Sequence, residues 1–552
     1  MTLRLALAQI DTRVGDVDGN AEKVLAWSRS AAEAGADLVL FPEMTLTGYP
    51  IEDLALRDSF ARGADRALAH VLEVLAAAPD ERLRDLTVVL GTLGRTPQGR
   101  ATNRAVVVRG GQVLATYDKH HLPNYGVFDE YRIFAPGLES CVVDVRGVRV
   151  GVVICEDIWQ DGGPVTALAE AGVDLLAVLN GSPYEEGKGA ARARSAAARA
   201  AEVNAPVAYV NMVGAQDDLV FDGGSFVLGS DGEAALGSPQ FVEHLLLCEI
   251  GDDGEPVPGL RAEPMHPDAE VYTAVVTGLR GYAQKNGFRS VVLGLSGGID
   301  SALCAAMAAD ALGGENVVGI SMPSGHSSQH SRDDAADLAK RLGADYRVQP
   351  IGSMVDAFHA QLDLPGVAGE NLQARVRGVV LMGVSNVEGH LVLATGNKSE
   401  LAVGYSTIYG DAVGGFAPLK DVDKSRVWAL SRWRNDEALD AGQIPPIPES
   451  SITKPPSAEL SPGQVDTDSL PPYELLDRVL DAYVEHAEGR EELLARGFDE
   501  AVVDKVLSLV DRAEWKRRQY PPGPKVSALA FGRDRRLPVT SAWREPKGTL
   551  DD

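Results

Sequence analysis

Two groups of residues in this sequence have the types and spacing that chemistry requires. The first is Ser296-Gly297-Gly298-Ile299-Asp300-Ser301, entered from the apolar run SVVLGLS and followed by an alanine-rich stretch. Glycines let a backbone approach an anion closely, a helix start behind them presents free N–H groups, and Ser296 and Ser301 add hydroxyl donors. Asp300 is wrong for a bare phosphate but right for a magnesium ion held between carboxylate and phosphate oxygens. The second group is Glu43, Lys119 and Cys155, each just past an apolar run: LVLFPEM, VLATYDKHHLP and VGVVICEDIW. A thiol nucleophile needs a base, and the oxyanion it creates needs a cation or N–H donors. Cys155, Glu43 and Lys119 can fill those roles in that order. Taken singly, each has a plainer reading: a Gly-rich turn, a buried small hydrophobe, a helix-start carboxylate after Pro42. Their co-occurrence, in order along one chain, argues for chemistry.

Such residues need strand ends to hold them. Alternating or apolar runs at 3–10, 36–43, 86–93, 104–117, 148–159 and 174–183 read as strands, with an alanine-rich helix over 20–36. Residues 252–267 are rich in Pro, Gly and acid and read as a linker. Beyond it come a helix over 269–286 and the strand 290–296. Further strand–helix units follow, with strands at 316–323 and 390–397, so the second half resembles an open, doubly wound parallel sheet. The expected fold class is therefore α/β. The expected domains are 1–255 and 269–552, joined by a linker at 256–268.

The chain of 552 residues exceeds one ordinary core and suits two or three domains. Its 52 basic and 79 acidic residues leave a net charge of −27, which disfavours nucleic acid and membrane as partners. Cys141, Cys155, Cys248 and Cys304 are irregularly spaced, neither a disulfide framework nor a zinc pattern. With no signal peptide or long apolar run, a cytoplasmic location is expected.

SGGIDS resembles the PP-loop of ATP pyrophosphatases, and lacks the Lys-Ser/Thr pair of a Walker loop. The strings ENLQARVRG (370–378), ATGNKSELAVGYSTIYGD (394–411) and GGFAPLKDVDKSRVW (414–428) resemble the motifs of NAD synthetases. The FPE, Lys119-His120-His121-Leu122 and CEDIW strings resemble the Glu-Lys-Cys amidases of the nitrilase superfamily, specifically the glutaminase domain attached to some NAD synthetases. The resemblance implies a nitrilase-like α-β-β-α sandwich followed by a PP-loop domain. It implies that deamido-NAD is adenylated by ATP, with magnesium, and amidated with ammonia drawn from L-glutamine.

By the same resemblance, Tyr125, Ser182 and Lys188 hold glutamine, with Arg192 as an alternative to Lys188, and Glu130 supports Lys119. Gly294, Leu295, Ser296, Gly297, Gly298, Ile299, Asp300, Ser301 and Thr395 contact ATP. Asn371, Arg375, Glu400, Tyr405 and Lys516 lie near deamido-NAD, and Asp300 with Glu400 holds the metal. Lys398, Lys420 and Lys424 are candidates for phosphate charge. The family implies a homo-oligomer. Two other readings stand beside this one: another PP-loop glutamine amidotransferase, or a nucleotide-binding sensor with inactive sites.

Overall fold

The computed structural model describes residues 2–325, 327–457, 459–460 and 465–545. The chain divides into two compact units, Met1–Met265 and His266–Asp552.

The first unit holds fourteen strands: β1 Leu3–Gln9, β2 Leu38–Leu40, β3 Thr87–Arg95, β4 Ala101–Arg109, β5 Gln112–Asp118, β6 Cys141–Val145, β7 Val148–Ile154, β8 Leu175–Asn180, β9 Val207–Asn211, β10 Val213–Gln216, β11 Leu219–Asp222, β12 Phe226–Leu228, β13 Ala234–Gly237 and β14 His244–Ile250. Two six-stranded sheets form, in the orders β14-β1-β2-β3-β4-β5 and β13-β12-β9-β8-β7-β6; β10 and β11 make a separate ribbon. Period-two patterning decides which face each residue takes. Leu3, Leu5 and Leu7 of β1 meet Val150, Val152 and Ile154 of β7 in the core between the sheets. Ala6 and Ala8 point the other way, against helices Val17–Glu33 and Asp58–Ala76. On the second sheet, Leu176 and Val178 pack outward on helices Pro164–Ala171 and Lys188–Val203. The layers therefore run α-β-β-α.

Gly110 and Gly111, both at positive φ, turn β4 back on β5, so the run 104–117 is a hairpin. Part of the stretch read as linker belongs to this unit. Val257 N donates to Glu249 O at 2.8 Å, Ala262 N to Gly237 O at 3.1 Å, and Arg261 bridges Gly237. Polar, Pro-rich composition did not prevent these residues from adding backbone pairs along exposed strand edges.

The second unit is built on four parallel strands, β15 Val291–Gly294, β16 Val317–Ser321, β17 Asp345–Val348 and β18 Leu391–Val392, in the order β17-β16-β15-β18. The order reverses beside β15, so the chain leaving β15 and the chain leaving β18 diverge from a switch point, the usual ligand crevice of such sheets. Helix Ile299–Leu312 is buried nearly all round. Its alanines let it pack closely on β15 and β16, with helices Pro267–Lys285 and Lys424–Asp440 against it. Helix Val367–Glu388 sets Val376 and Leu381 against Val292, Val318 and Ile320. Helices Tyr473–Leu480, Arg490–Ala495 and Glu500–Arg512 form a further apolar cluster around Leu401–Val403. Among the described residues, no helix is long and apolar enough to cross a membrane.

Leu7 is fully buried between the sheets. Leu7→Ala should lower stability by about 2–5 kcal/mol through lost burial and a residual cavity. Denaturant unfolding measures this, and a loss under about 1 kcal/mol would show that the inter-sheet layer is not the core.

Candidate active sites

In the first unit, Glu43 follows β2, Lys119 follows β5 and Cys155 follows β7. The first two come from one sheet and the third from the other. Lys119 Nζ lies 2.8 Å from Glu43 Oε1 and 3.0 Å from Glu130 Oε2, with all three side chains buried. Burial pushes the lysine pKa down, but Glu130 and Glu43 outweigh it and hold the ammonium well above its ordinary value. Glu43 is further fixed by Asn103 Nδ2 at 2.6 Å and Gly181 N at 2.8 Å. Tyr49 donates to Glu130 at 2.8 Å. Burial pushes Glu130 up to about 7, with Lys119 opposing.

Cys155 stands at φ +45°, a left-handed conformation unusual for a side-chain-bearing residue. The strand ends there and a tight turn, Cys155–Ile158, begins. Burial, then Glu43, pushes its thiol pKa well up, while Lys119 opposes. The group is thus held as a thiol rather than a thiolate. Asp157, buried in the same turn, accepts from Ile154 N at 3.0 Å, His121 N at 2.8 Å, His120 N at 3.2 Å and Tyr117 Oη at 2.7 Å. One carboxylate therefore ties the backbone after Lys119 to the turn carrying Cys155. Sequence reasoning passed over Asp157, although the CEDIW string contains it.

Tyr125 is largely exposed and donates to Glu156 Oε2 at 2.8 Å; its ring stacks edge-on with Phe128, over which Lys188 Nζ lies at 5.9 Å. The structure thus ties Tyr125 to Glu156, the residue after Cys155, and sets Lys188 close by over Phe128. Arg192 is buried against Asp222, its Nη1 reaching both carboxylate oxygens at 2.7 and 2.8 Å, and donates through Nε to Ser182 Oγ at 3.1 Å. It braces the Ser182 loop, donating also to Ser182 O and Pro183 O, both at 2.9 Å. His120 Nδ1 donates to Gly137 O at 2.8 Å, and no group of three or more His, Cys, Asp or Glu placed to hold a metal occurs among the described residues.

In the second unit, a cavity of about 280 Å³ opens at the switch point. Gly294, Leu295, Ser296, Gly298, Ile299, Asp300 and Ser301 line one wall, and Thr395, Glu400 and Tyr405 another. Gly297 lies in the same loop at φ +78°, where a Cβ would meet Ser331 O at 2.2 Å. This glycine is needed to seat the loop on helix Gln329–Leu342, a different reason from close approach to an anion. Asn371 accepts from Thr407 Oγ1 at 2.7 Å, Arg375 Nε donates to Ile408 O at 3.2 Å, and Lys516 Nζ donates to Gly404 O and Ser406 O at 2.7 and 2.8 Å. These three brace the 404–411 loop and are not among the cavity's described lining residues.

The cations sort differently from the expectation. Lys398 is buried against Glu485 at 2.6 Å and Asp421 at 3.0 Å, a tether for the C-terminal segment. Neither it nor Lys420 is among the described lining residues. Lys424 does line the cavity, hydrogen-bonded to Asp300 Oδ2 and 3.9 Å from Glu400 Oε1. Burial, then Asp300, pushes Glu400 up to about 8. Arg332, Arg377 and Lys454 supply the remaining positive charge. Lys454 Nζ donates to Gly297 O and Ser331 Oγ, both at 2.9 Å, beside the glycine-rich loop. It sits in a Pro-rich stretch without periodicity, where no sequence signal marks it.

The geometry describes one unit able to attack a carbon–nitrogen bond and another able to cradle a phosphate-bearing ligand. The comparisons agree. Residues 4–255 match the carbon–nitrogen hydrolase family and residues 271–520 match NAD synthase. A glutamine-dependent NAD(+) synthetase of Acinetobacter baylyi is 44% identical over 98% of this chain and 99% of that protein, and one of Thermotoga maritima is 42% identical over 99% of each. The solved structure of the Acinetobacter baumannii glutamine-dependent NAD+ synthetase, in complex with ADP, aligns with TM-score 0.78 and 42% identity over 99% of this chain and 100% of that one. The chain belongs to the family of glutamine-dependent NAD(+) synthetases.

Gly297→Ala should lower stability by at least about 1–3 kcal/mol, since alanine is strained at that φ and collides with Ser331 O. Gly298→Ala, at φ −84°, should cost clearly less. Equal losses in thermal unfolding would remove this account of the loop.

Proposed function

We infer that the chain makes NAD from deamido-NAD and ATP, using ammonia that it releases from L-glutamine. The observation that carries this reading is the pairing, on one chain, of a buried Glu43–Lys119 pair beside Cys155 with an SGGIDS-lined cavity. The glutaminase reaction belongs to residues 1–255 and the synthetase reaction to 269–552.

In the glutaminase site, Cys155 attacks the side-chain amide carbon of glutamine. Its raised pKa keeps it protonated, so attack requires a proton acceptor, and Glu43 serves. Two N–H groups of Lys119 are engaged by Glu43 and Glu130, and the third is left for the developing oxyanion. Glu43 returns the proton to nitrogen, ammonia leaves, and water then hydrolyses the γ-glutamyl thioester with Glu43 again taking the proton. Tyr125, Ser182 and Lys188 hold the amino-acid end of glutamine, and Glu156 adds an acceptor for its ammonium.

In the synthetase site, the nicotinate carboxylate of deamido-NAD attacks the α-phosphorus of ATP and pyrophosphate leaves. Ammonia then displaces AMP from the mixed anhydride. The carboxylate alone is a poor electrophile, so catalysis is largely alignment and charge neutralisation. The SGGIDS loop and Thr395 hold ATP, and Lys454, Arg332 and Arg377 face its phosphates. Asn371, Arg375, Tyr405 and Lys516 shape the deamido-NAD side. Asp300 and Glu400 fit magnesium: one ammonium already reaches both carboxylates, and two carboxylates plus phosphate oxygens are a common magnesium set. A magnesium ion bound there supplies positive charge to the phosphates.

Four free, buried cysteines suit the cytoplasm. A homo-oligomer formed through the synthetase unit is supported by helix Val367–Glu388, which exposes Val379, Met382 and Val387.

Purified protein given deamido-NAD, ATP and magnesium should form NAD and AMP with either glutamine or ammonium. Absence of AMP with both nitrogen sources would overturn the reading. Cys155→Ala should abolish glutamine-dependent synthesis, by at least about 10³-fold, while ammonium-dependent synthesis persists. Asp300→Ala or Glu400→Ala should remove both modes yet leave glutamine hydrolysis measurable. A variant at either carboxylate that forms NAD normally would remove the metal assignment.

A further inference from the structure

Lys424 stands where a cation serving Asp300 and Glu400 belongs. Its Nζ is hydrogen-bonded to Asp300 Oδ2 and lies 3.9 Å from Glu400 Oε1. Asn397 helps to place both carboxylates. Asn397 Nδ2 donates to Asp300 Oδ1 at 2.9 Å, Asn397 Oδ1 accepts from Glu400 N at 3.0 Å, and Asn397 N donates to Glu400 Oε2 at 3.4 Å. The Lys424 side chain is 2% exposed, and its ammonium lies 5.6 Å from the centre of the Trp428 ring and 5.4 Å from that of Tyr473. Yet its head lines the same cavity as Ser296, Gly298 and Lys454.

We propose that the Lys424 ammonium and a divalent metal are alternative counter-ions for the Asp300–Glu400 pair, so that metal binds tightly only when a nucleotide's phosphates draw the ammonium away. An ammonium and a dication repel each other and compete for the same oxygens, so the two cannot share the pair at close range. The carboxylates are only partly exposed and lie close together, so a counter-ion between them is favoured over none. A lysine suits the exchange: its point charge rides on a flexible four-carbon stem, and phosphate oxygens offer it an equivalent partner a short swing away. Metal and nucleotide then bind with positive coupling. Lys424 acts in this as a positioning residue, setting when the metal site becomes available.

The inference rests on the assignment of Asp300 and Glu400 as the metal site, and the experiment separates the two claims. The full-length protein is titrated with Mn2+ in the absence of nucleotide, and free Mn2+ is read by electron paramagnetic resonance. Wild-type protein should bind weakly. Lys424→Met should bind Mn2+ at least tenfold more tightly, and Lys424→Gln is read the same way as a second removal variant. Lys424→Arg keeps the charge and should stay with the wild type. In thermal unfolding, Mg2+ alone should stabilise the two uncharged variants but not wild type or Lys424→Arg. Uncharged variants that bind Mn2+ no more tightly than wild type would overturn the proposal. The metal assignment itself is read with Mn2+ and α,β-methylene-ATP. If Asp300→Asn then binds the pair as tightly as wild type, the assignment falls and takes the proposal with it.

Discussion

Burying the Lys119 ammonium is feasible only because Glu43 and Glu130 each stand within 3.1 Å of it. An unpaired ammonium at that depth would neutralise or open the fold, and two unpaired carboxylates would do the same. The trio therefore fixes where the ends of β2 and β5 and the short turn Glu130–Arg132 must lie, and the surrounding hydrogen bonds serve that placement. Asn103 and Gly181 orient Glu43, and Tyr49 orients Glu130. The second unit repeats the arrangement with Lys424, Asp300 and Glu400 at the mouth of its cavity. Each site is thus a buried cation between two acids. In the first, the cation is enclosed; in the second, it lines an open cavity.

The scaffolds reach these arrangements by different routes. In the first unit, the site lies where two sheets meet, and Asp157 joins their strand ends through three backbone N–H groups and the Tyr117 hydroxyl. The left-handed Cys155 breaks strand alternation and turns the thiol out of the β7 pattern. In the second unit, strand order alone creates the crevice, and Gly297 lets the loop after β15 settle on the neighbouring helix.

Much of this was legible because local chemistry declares itself. Alternation marked β1 as a strand, the Gly110-Gly111 pair marked a turn between paired strands, and polar residues directly after apolar runs marked Glu43, Lys119 and Cys155. What escaped was set by distant partners. The pairing of β1 with β14 joins residues more than 230 positions apart, and only backbone edges mediate it. The strand expected at 390–397 shrinks to Leu391–Val392, because past one bridge at Leu393 the chain turns outward to bear Thr395 and Glu400. Lysines were the hardest to sort. Lys398 and Lys424 are alike in sequence context, yet one meets Asp421 and Glu485 and the other lines the cavity, a difference made wholly by the fold. Lys454 gave no local signal, since its partners, a carbonyl, a hydroxyl and the Asp334 carboxylate, all lie on distant elements.

One chain takes nitrogen from glutamine and places it in NAD, and isotope tracing follows that nitrogen. The protein is given deamido-NAD, ATP, magnesium and glutamine labelled with 15N at the side-chain amide, alongside unlabelled ammonium at low concentration, and the product is weighed by mass spectrometry. The product should be NAD carrying 15N in its carboxamide, and unlabelled NAD when Cys155 is replaced by alanine. Unlabelled NAD from the wild-type protein, or label retained without Cys155, would show that the nitrogen does not pass through Cys155.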